Sequence, residues 1–399
     1  MTDATSTGAA EHDVIVVGGR CAGAATAMLL AAQGLDVLVL DRAALPSDCL
    51  STHAIARGGV VQLARWGLLD AVIASGAPEI RTVSFHLGDG EVVERTVKDA
   101  AGVDVLLAPR RYVLDDILVS AAIDAGARFE TEVSVNGVLT DEAGRVTGVT
   151  TRDRDGTVRE RRSSFVVGAD GVHSRIARAV GAGMVDERPS EGATHYAYVA
   201  GLDADGFEFH VGPDAFAGVF PTHDGECNVW VCCPADDAGI GADDRTGDFT
   251  ALLQRVAPSL ADRVGRARVT SAVRGAVRLP NHVRVAAGSG WALVGDASYH
   301  RDPITGHGIT DAFRDADLLA RRLGQALRGE VREDEAMAAY ALERYRALAP
   351  IFDVTCQLAA YPPADEFVAL QKRLSDLLEA EAAWLASLPP VTGPALVPA

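Results

Sequence analysis

The period of apolar and polar positions changes several times along the chain. Asp13 to Val17 is a short apolar run closed by Gly18 and Gly19. Ala22 to Gln33 is small, apolar and helix-friendly, and Gly34 stops it. Leu35 to Leu40 is a second apolar run, closed by Asp41. Strand, glycine turn, helix and strand within about 30 residues predict one βαβ unit. Residues 54–74 read as helical, with Trp66, Leu68 and Leu69 on the apolar side. Residues 80–97 alternate, with Gly88-Asp89-Gly90 as a hairpin turn. From Arg111 to Ala125 the helical period returns, placing Leu114, Ile117, Leu118, Ala121 and Ala122 on one face.

Short strand-like pieces follow at 132–135, 146–151, 158–162 and 165–167. Residues 194–235 predict a β-rich segment with aromatics, and 249–264 a helix. Trp291 to Val294 predicts a buried strand ending in Gly295-Asp296. Ile309 to Leu327 predicts a long helix, and 333–387 a helical tail broken at Pro362-Pro363. No internal repeat or low-complexity tract interrupts this order.

Composition narrows the function classes. The 399 residues are 48% hydrophobic and 23% charged, which suits a folded chain of two or three domains. The formal net charge of −18 argues against nucleic acid as main partner and against anionic membrane surfaces. No stretch approaches a spanning helix. Residues 1–12 lack the basic start and apolar run of a signal peptide, so a soluble, cytoplasmic protein is expected. The six cysteines form no Cys-x-x-Cys and no Cys/His cluster at zinc spacing, so no metal site is expected.

Three motifs carry chemistry. The first, Gly18-Gly19-Arg20-Cys21-Ala22-Gly23, follows a strand and opens a helix, as a dinucleotide fingerprint does. Gly18 permits the tight turn and Gly23 the close packing of helix on strand. The helix N-terminus presents free N–H groups to a pyrophosphate, and Asp41 accepts ribose hydroxyls. Arg20 stands where a second glycine is usual. The second motif, Gly168-Ala-Asp170-Gly171, ends an apolar strand; alone it reads as a surface turn. In the third, Gly295-Asp296 ends a buried strand, and the loop to Pro303, Gly306, His307 and Gly308 opens the long helix.

Together the three motifs resemble the flavoprotein superfamily of para-hydroxybenzoate hydroxylase type. It takes in flavin monooxygenases, flavin halogenases and geranylgeranyl-reductase-like enzymes. The resemblance implies FAD. It places Gly18 and Gly23 at the pyrophosphate and Asp41 at the adenosine ribose. Arg111 falls near the ribityl and phosphate groups, Asp170 near the pyrophosphate, and Asp296 on ribityl or phosphate oxygens. Pro303 falls at the isoalloxazine edge, and the backbone around Gly306, His307 and Gly308 at flavin N1 and O2. Arg20, Arg42 and Arg111 become partners for the phosphate charges. The resemblance also implies the fold. A Rossmann-like α/β FAD domain (α+β mixed overall) spans 12–75, 103–187 and 276–330. A β-rich substrate domain comprises 76–102 and 188–275. A C-terminal helical segment, 331–399, packs outside or at a homodimer interface.

The superfamily's main chemistry makes a monooxygenase the first expectation. Such an enzyme hydroxylates or epoxidises a small organic substrate with molecular oxygen through a flavin C4a-hydroperoxide. Electrons come from NADPH or NADH, or from a separate flavin reductase. The alternative is an FAD-dependent reductase of an isoprenoid-type C=C bond. A halogenase of this superfamily needs a lysine, and the chain has only Lys98 and Lys372; a flavin-binding module without catalysis completes the set. For acid–base work the candidates are His53, Tyr299 and His300, since imidazole titrates near neutral pH.

Overall fold

The computed structural model describes residues 10–391 apart from 88–89, 213 and 242–243. Part of the expected Gly88-Asp89-Gly90 turn, most of the 1–12 segment and the end of the 331–399 segment lie outside the described residues. Helices are α1 (Cys21–Ala31), α2 (Arg57–Arg65), α3 (Leu69–Ala74), α4 (Arg111–Asp124), α5 (Arg175–Ala179), α6 (Arg245–Val256), α7 (Pro258–Arg266), α8 (Gly308–Leu327), α9 (Glu333–Leu358) and α10 (Ala364–Ser387).

The first sheet is mixed. Its order runs Ala287–Gly288, Trp291–Leu293, Val158–Gly168, His12–Val17, Val37–Leu40, Arg128–Glu130. The strands from Trp291–Leu293 to Arg128–Glu130 pair in parallel. Val14, Ile15 and Val16 have no exposed surface. That suits a parallel sheet covered on both faces. Ser134–Thr140 and Val146–Arg152 form an antiparallel hairpin that joins Val158–Gly168. Helix α1 is apolar all round because α4 and α8 pack against it.

The second sheet runs Arg268–Val269, Gly192–Ala200, Glu226–Pro234, Phe216–Pro221, Phe207–Val211, Thr82–His86, Val92–Thr96. The hairpin of residues 82–96 thus joins strands more than a hundred positions later, through a parallel pairing of Thr82–His86 with Phe207–Val211. Along Gly192–Ala200 the faces differ. Ala193, Ala197 and Val199 pack towards α6 and α7, and Tyr196 and Tyr198 towards α9 and α10. Period-2 alternation produces this split. A three-stranded sheet of Tyr299–His300, Asn281–Arg284 and Met184–Arg188 lies outside both larger sheets.

Two expected helices divide. Residues 54–74 form α2 and α3, separated around Gly67 at φ 72°. The 249–264 helix becomes α6 and α7, divided at Pro258, which takes the first position of α7. The C-terminal helices are not merely peripheral. Leu348, Ile351, Phe352 and Leu358 of α9, and Phe367 and Leu370 of α10, are core residues. Tyr340 of α9 donates to the carbonyl of Leu293 at 2.7 Å, beneath the first sheet.

Candidate functional site

A cavity of about 760 Å³ is lined by residues of both large sheets, among them Val17 and Leu40 of the first and Thr194 and Tyr196 of the second. Its walls include Gly18, Arg20, Asp41, Arg42, His53, Arg111, Asp170 and Asp296, and on the third motif Tyr299, His300, Pro303, Gly306, His307 and Gly308. Three motifs far apart in the chain therefore converge on one space. Gly23 lies just behind it.

The glycine turn is built for close backbone approach. Gly18 has φ 101°, and a Cβ there would lie 2.4 Å from the carbonyl oxygen of Ala169. A Cβ on Gly23 would lie 1.7 Å from the carbonyl oxygen of Gly18. Strand end, α1 and the Asp170 turn thus meet in a cradle that side chains would fill. Asp41 is buried; it accepts from the Gly19 N–H at 2.7 Å and the Ala43 N–H at 2.7 Å. It shapes the turn as well as offering a carboxylate to the cavity. Asp170 works similarly. It receives the Ser174 hydroxyl at 2.5 Å and the Arg175 N–H at 2.6 Å, capping α5.

The arginines differ in setting. Arg20 is turned onto Ser47, at 2.9 Å to its carbonyl and 2.8 Å to its hydroxyl, with Asp115 at 3.3 Å. Arg111 pairs with Asp115 at 3.0 and 3.2 Å, while its Nε has no partner. Arg42 is exposed at the rim. Asp296 is exposed and presents its carboxyl to the cavity. At the start of α8, His307 precedes the first helical residue Gly308, so first-turn N–H groups lack intrahelical partners beside the cavity. The preceding loop is fixed: the Asp302 N–H donates to Asn281 at 2.6 Å, and the Asp302 carboxyl accepts from Ile304 at 3.0 Å. A cradle closed to side chains, an unpartnered arginine nitrogen and a free helix N-terminus fit a dinucleotide such as FAD.

The three acid–base candidates have different surroundings. His53 is buried and holds φ 69°, rare for a side chain larger than glycine. Its Nε2 contacts the Tyr198 hydroxyl, its ring stacks on Tyr198 with centroids 5.6 Å apart, and its Nδ1 has no partner. Burial first, then the Arg111 and Arg110 guanidiniums, push His53 well below the ordinary imidazole value. Burial pushes the Tyr198 phenol up. His300 donates Nδ1–H to the Pro280 carbonyl at 2.6 Å, a structural anchor. Tyr299 is fully buried, with Arg301, Arg314 and Arg344 within 5.7–5.9 Å of its ring centre. Burial raises its phenol far above the usual value, and its hydroxyl has no hydrogen-bond partner at the cavity wall.

Several site residues escape sequence reasoning. Arg110 lies 3.7 Å over the Tyr198 ring and pairs with Asp48 at 3.2 Å and Glu226 at 2.9 Å. It ties the loop that carries His53 to the second sheet. Tyr196 accepts from the Ser51 N–H at 3.2 Å on the same loop. Alternation along residues 192–200 puts Thr194, Tyr196 and Tyr198 on one face, but no local motif ties them to His53. Cys21 and Cys49 also line the cavity, and burial pushes both thiols up.

Among the described residues, two sets of three potential metal ligands lie close together: His86, Glu208 and His210, and His307, Asp311 and Glu381. Sequence spacing signals neither set. In both, arginine already occupies the carboxylates. Arg263 meets Glu208 at 2.6 and 2.9 Å, and Arg314 meets Asp311 at 2.6 Å and Glu381 at 2.9 Å. A guanidinium there opposes a second cation. Among the described residues no helix is long and apolar enough to cross a membrane.

Residues 11–355 match the family described as FAD binding domain. The chain is similar to digeranylgeranylglycerophospholipid reductase 2 of Methanopyrus kandleri, at 31% identity over 84% of this chain and 81% of that protein. Among solved structures it resembles the flavin-dependent brominase Bmp2, with TM-score 0.80 and 18% identity over 94% of this chain and 93% of that one. It also resembles a geranylgeranyl bacteriochlorophyll reductase-like protein from Thermoplasma acidophilum, with TM-score 0.70 and 20% identity over 96% and 93% of the two chains. These two likenesses establish the fold and do not choose among its chemistries.

Proposed function

The chain belongs to the FAD binding domain family and is an FAD-dependent oxidoreductase, and from that premise we propose that it reduces a C=C bond of an isoprenoid-type substrate. The observation that carries this reading is the similarity to a digeranylgeranylglycerophospholipid reductase along most of both chains. Monooxygenation, the first expectation from sequence, has no comparable support. Halogenation has less, because Lys98 and Lys372 are both exposed and neither lines the cavity.

Saturating a C=C bond takes two electrons and two protons. Bound FAD supplies the two electrons and one of the hydrogens. The residues that would hold it are those of the three motifs, with NADH or NADPH, or a separate reductase, as electron source. The chain's own task is to position an apolar substrate and deliver the second hydrogen as a proton. Apolar lining comes from Ala276 and Leu279, with Tyr196 and Thr194 on the second sheet. The proton route we assign is Tyr198 to His53. In this route the phenol donates to Nε2 of the imidazole, whose Nδ1–H would serve the cavity; this tautomer is our assignment.

The test is anaerobic turnover. The FAD-loaded protein is reduced and mixed under nitrogen with a polyprenyl glycerolipid. The expected result is reoxidation of the flavin together with a mass gain of two hydrogens per double bond. A substrate left unsaturated under nitrogen, and oxygenated once air is admitted, would return the reading to monooxygenation.

A further inference from the structure

Asp302 stands between Arg301 and Pro303 on the third-motif loop and lines the cavity, although it is only 2% exposed. Its Oδ1 accepts from the Ile304 N–H at 3.0 Å. Among the described residues its Oδ2 receives no hydrogen bond. That oxygen lies against Gly192, where a Cβ would come within 2.2 Å of it. Gly192 begins the strand Gly192–Ala200 and by alternation shares the face of Thr194 and Tyr196, both of which line the cavity. Ala276, opposite Thr194, and Leu279 line it too. The open oxygen therefore lies beside the apolar lining that the second sheet and its neighbours supply.

No cation neutralises this carboxyl. Among the described residues it forms no ion pair: Arg301 beside it is taken by Asp311 at 2.5 Å, and His300 is anchored on the Pro280 carbonyl. From the other elements the titratable groups that face it are Cys232 of the strand Glu226–Pro234, Cys356 of α9 and Tyr361 of the turn between α9 and α10. Burial pushes all three up, so they stay neutral and offer no charge. An ionised carboxylate with one N–H donor and no counterion is costly in such a place. Burial outweighs the Ile304 N–H, His300 and Arg301 and holds Asp302 above the usual carboxylate range; a neutral His300 would oppose burial still less. As the neutral acid, Asp302 accepts from Ile304 on Oδ1 and carries its hydrogen on Oδ2.

We propose that Asp302 is a specificity-determining residue, a neutral acid that donates a hydrogen bond from Oδ2 to an uncharged, acceptor-only oxygen of the substrate. The substrate class it selects is an isoprenoid chain that carries an ether or carbonyl oxygen. A carboxylic acid held neutral in an apolar site is a donor of this kind. A pure hydrocarbon chain leaves the donor unpaired and is bound less well. The inference rests on the isoprenoid reading of the cavity and not on its reduction chemistry. The probes used below hold no C=C bond, so a protein that reduces no double bond can still pass this test, and an active reductase can fail it.

The experiment titrates the FAD-loaded full chain, kept oxidised, with the methyl ether of tetrahydrogeraniol and with the saturated hydrocarbon of the same skeleton. Binding is read from the absorbance of the bound flavin over a pH series, for the unaltered chain, D302N, D302A and G192A. At the acid end the unaltered chain is expected to bind the ether about tenfold more tightly than the hydrocarbon. That preference is present while Asp302 holds its proton and is lost as pH rises through its raised pKa. Infrared difference spectra against D302N follow the same proton as the carbonyl stretch of a neutral carboxyl, and preference and band should fade together. D302N keeps an acceptor for Ile304 and a donor, never ionises, and is expected to hold the preference at every pH. D302A loses the donor and G192A presses a Cβ onto Oδ2, so both are expected to lose the preference throughout. An ether that binds no more tightly than the hydrocarbon overturns the proposal. A preference that survives in D302A, fades in D302N or parts from the infrared band overturns it too. Should D302A fail to fold, G192A decides: an unchanged preference overturns the proposal.

Discussion

The cavity has two walls made in different ways. The wall of Gly18 and Asp41, with Gly23 behind it, comes from one βαβ unit, and its parts are neighbours in sequence; Asp41 reaches back to the Gly19 N–H of the same unit. The second wall carries His53, and behind the lining Tyr198, Arg110 and Asp48 support it across long stretches of chain, each contact crossing between elements. The first wall acts through backbone shape, the second through side-chain chemistry. Damage to the first should therefore abolish cofactor binding, and damage to the second should leave the cofactor bound and slow its use.

The largest effect should come from Gly23→Val. Its Cβ would press on the Gly18 carbonyl oxygen, 1.7 Å away, and backbone cannot move aside cheaply there. The purified variant should carry almost no flavin, read from the absorbance ratio of flavin to protein. A variant retaining a full complement of FAD would break the assignment of this turn to the cofactor.

The same contrast explains what the sequence made legible. The βαβ unit, the Asp170 turn and the Gly295–Gly308 loop each follow a strand with a recognisable local pattern, and all three reach the cavity. The pairing of Thr82–His86 with Phe207–Val211 follows from no local pattern, because parallel register depends on partners far away. Tyr198 was visible only as one aromatic among several. Glu381 was invisible: on an amphipathic helix it reads as a surface charge, and only the packing of α10 shows it buried. Tyr299 was legible as a phenol next to His300, but the three arginines around its ring come from residues that no local pattern links to it.

Next in size is His53→Asn. Loss of a positioned proton carrier typically costs about 10²–10⁴ in rate. The variant should bind FAD normally and be reduced normally, with the loss confined to the step that consumes substrate. An equal loss in the rate of flavin reduction would mean that His53 serves the cofactor and not the substrate.

Apart from both walls, the support under the third-motif loop should be sensitive to acid. His282 lies under the third-motif loop, its ring centre 6.3 Å from that of His300. Burial, then Arg284 and His300, push its pKa down to about 4 from the ordinary 6.5. Above pH 6.5 the imidazole is neutral in both folded and unfolded chains. As pH falls from 6.5 towards about 4, the unfolded chain takes up a proton that the folded one refuses. Stability present above that window is lost through it, by about 3 kcal/mol in all. Urea unfolding at a series of pH values should show a shallower acid slope for His282→Gln than for the unaltered chain. Parallel slopes would remove His282 as the cause.

The smallest effect marks the limit of the comparison. Arg42 follows Asp41 on the first wall but is exposed, unlike the backbone cradle beside it. A solvent-exposed charge contributes roughly 0–1 kcal/mol to a pairing, and salt screens it. Arg42→Ala should therefore weaken FAD binding by no more than about fivefold at low ionic strength. The difference from the unaltered chain should shrink as salt rises, in a fluorescence titration of the apoprotein with FAD. A loss that is large and insensitive to salt would mean that a side chain, and not the backbone alone, carries the first wall. The contrast between the two walls would then rest on position in the sequence and no longer on the kind of contact each makes.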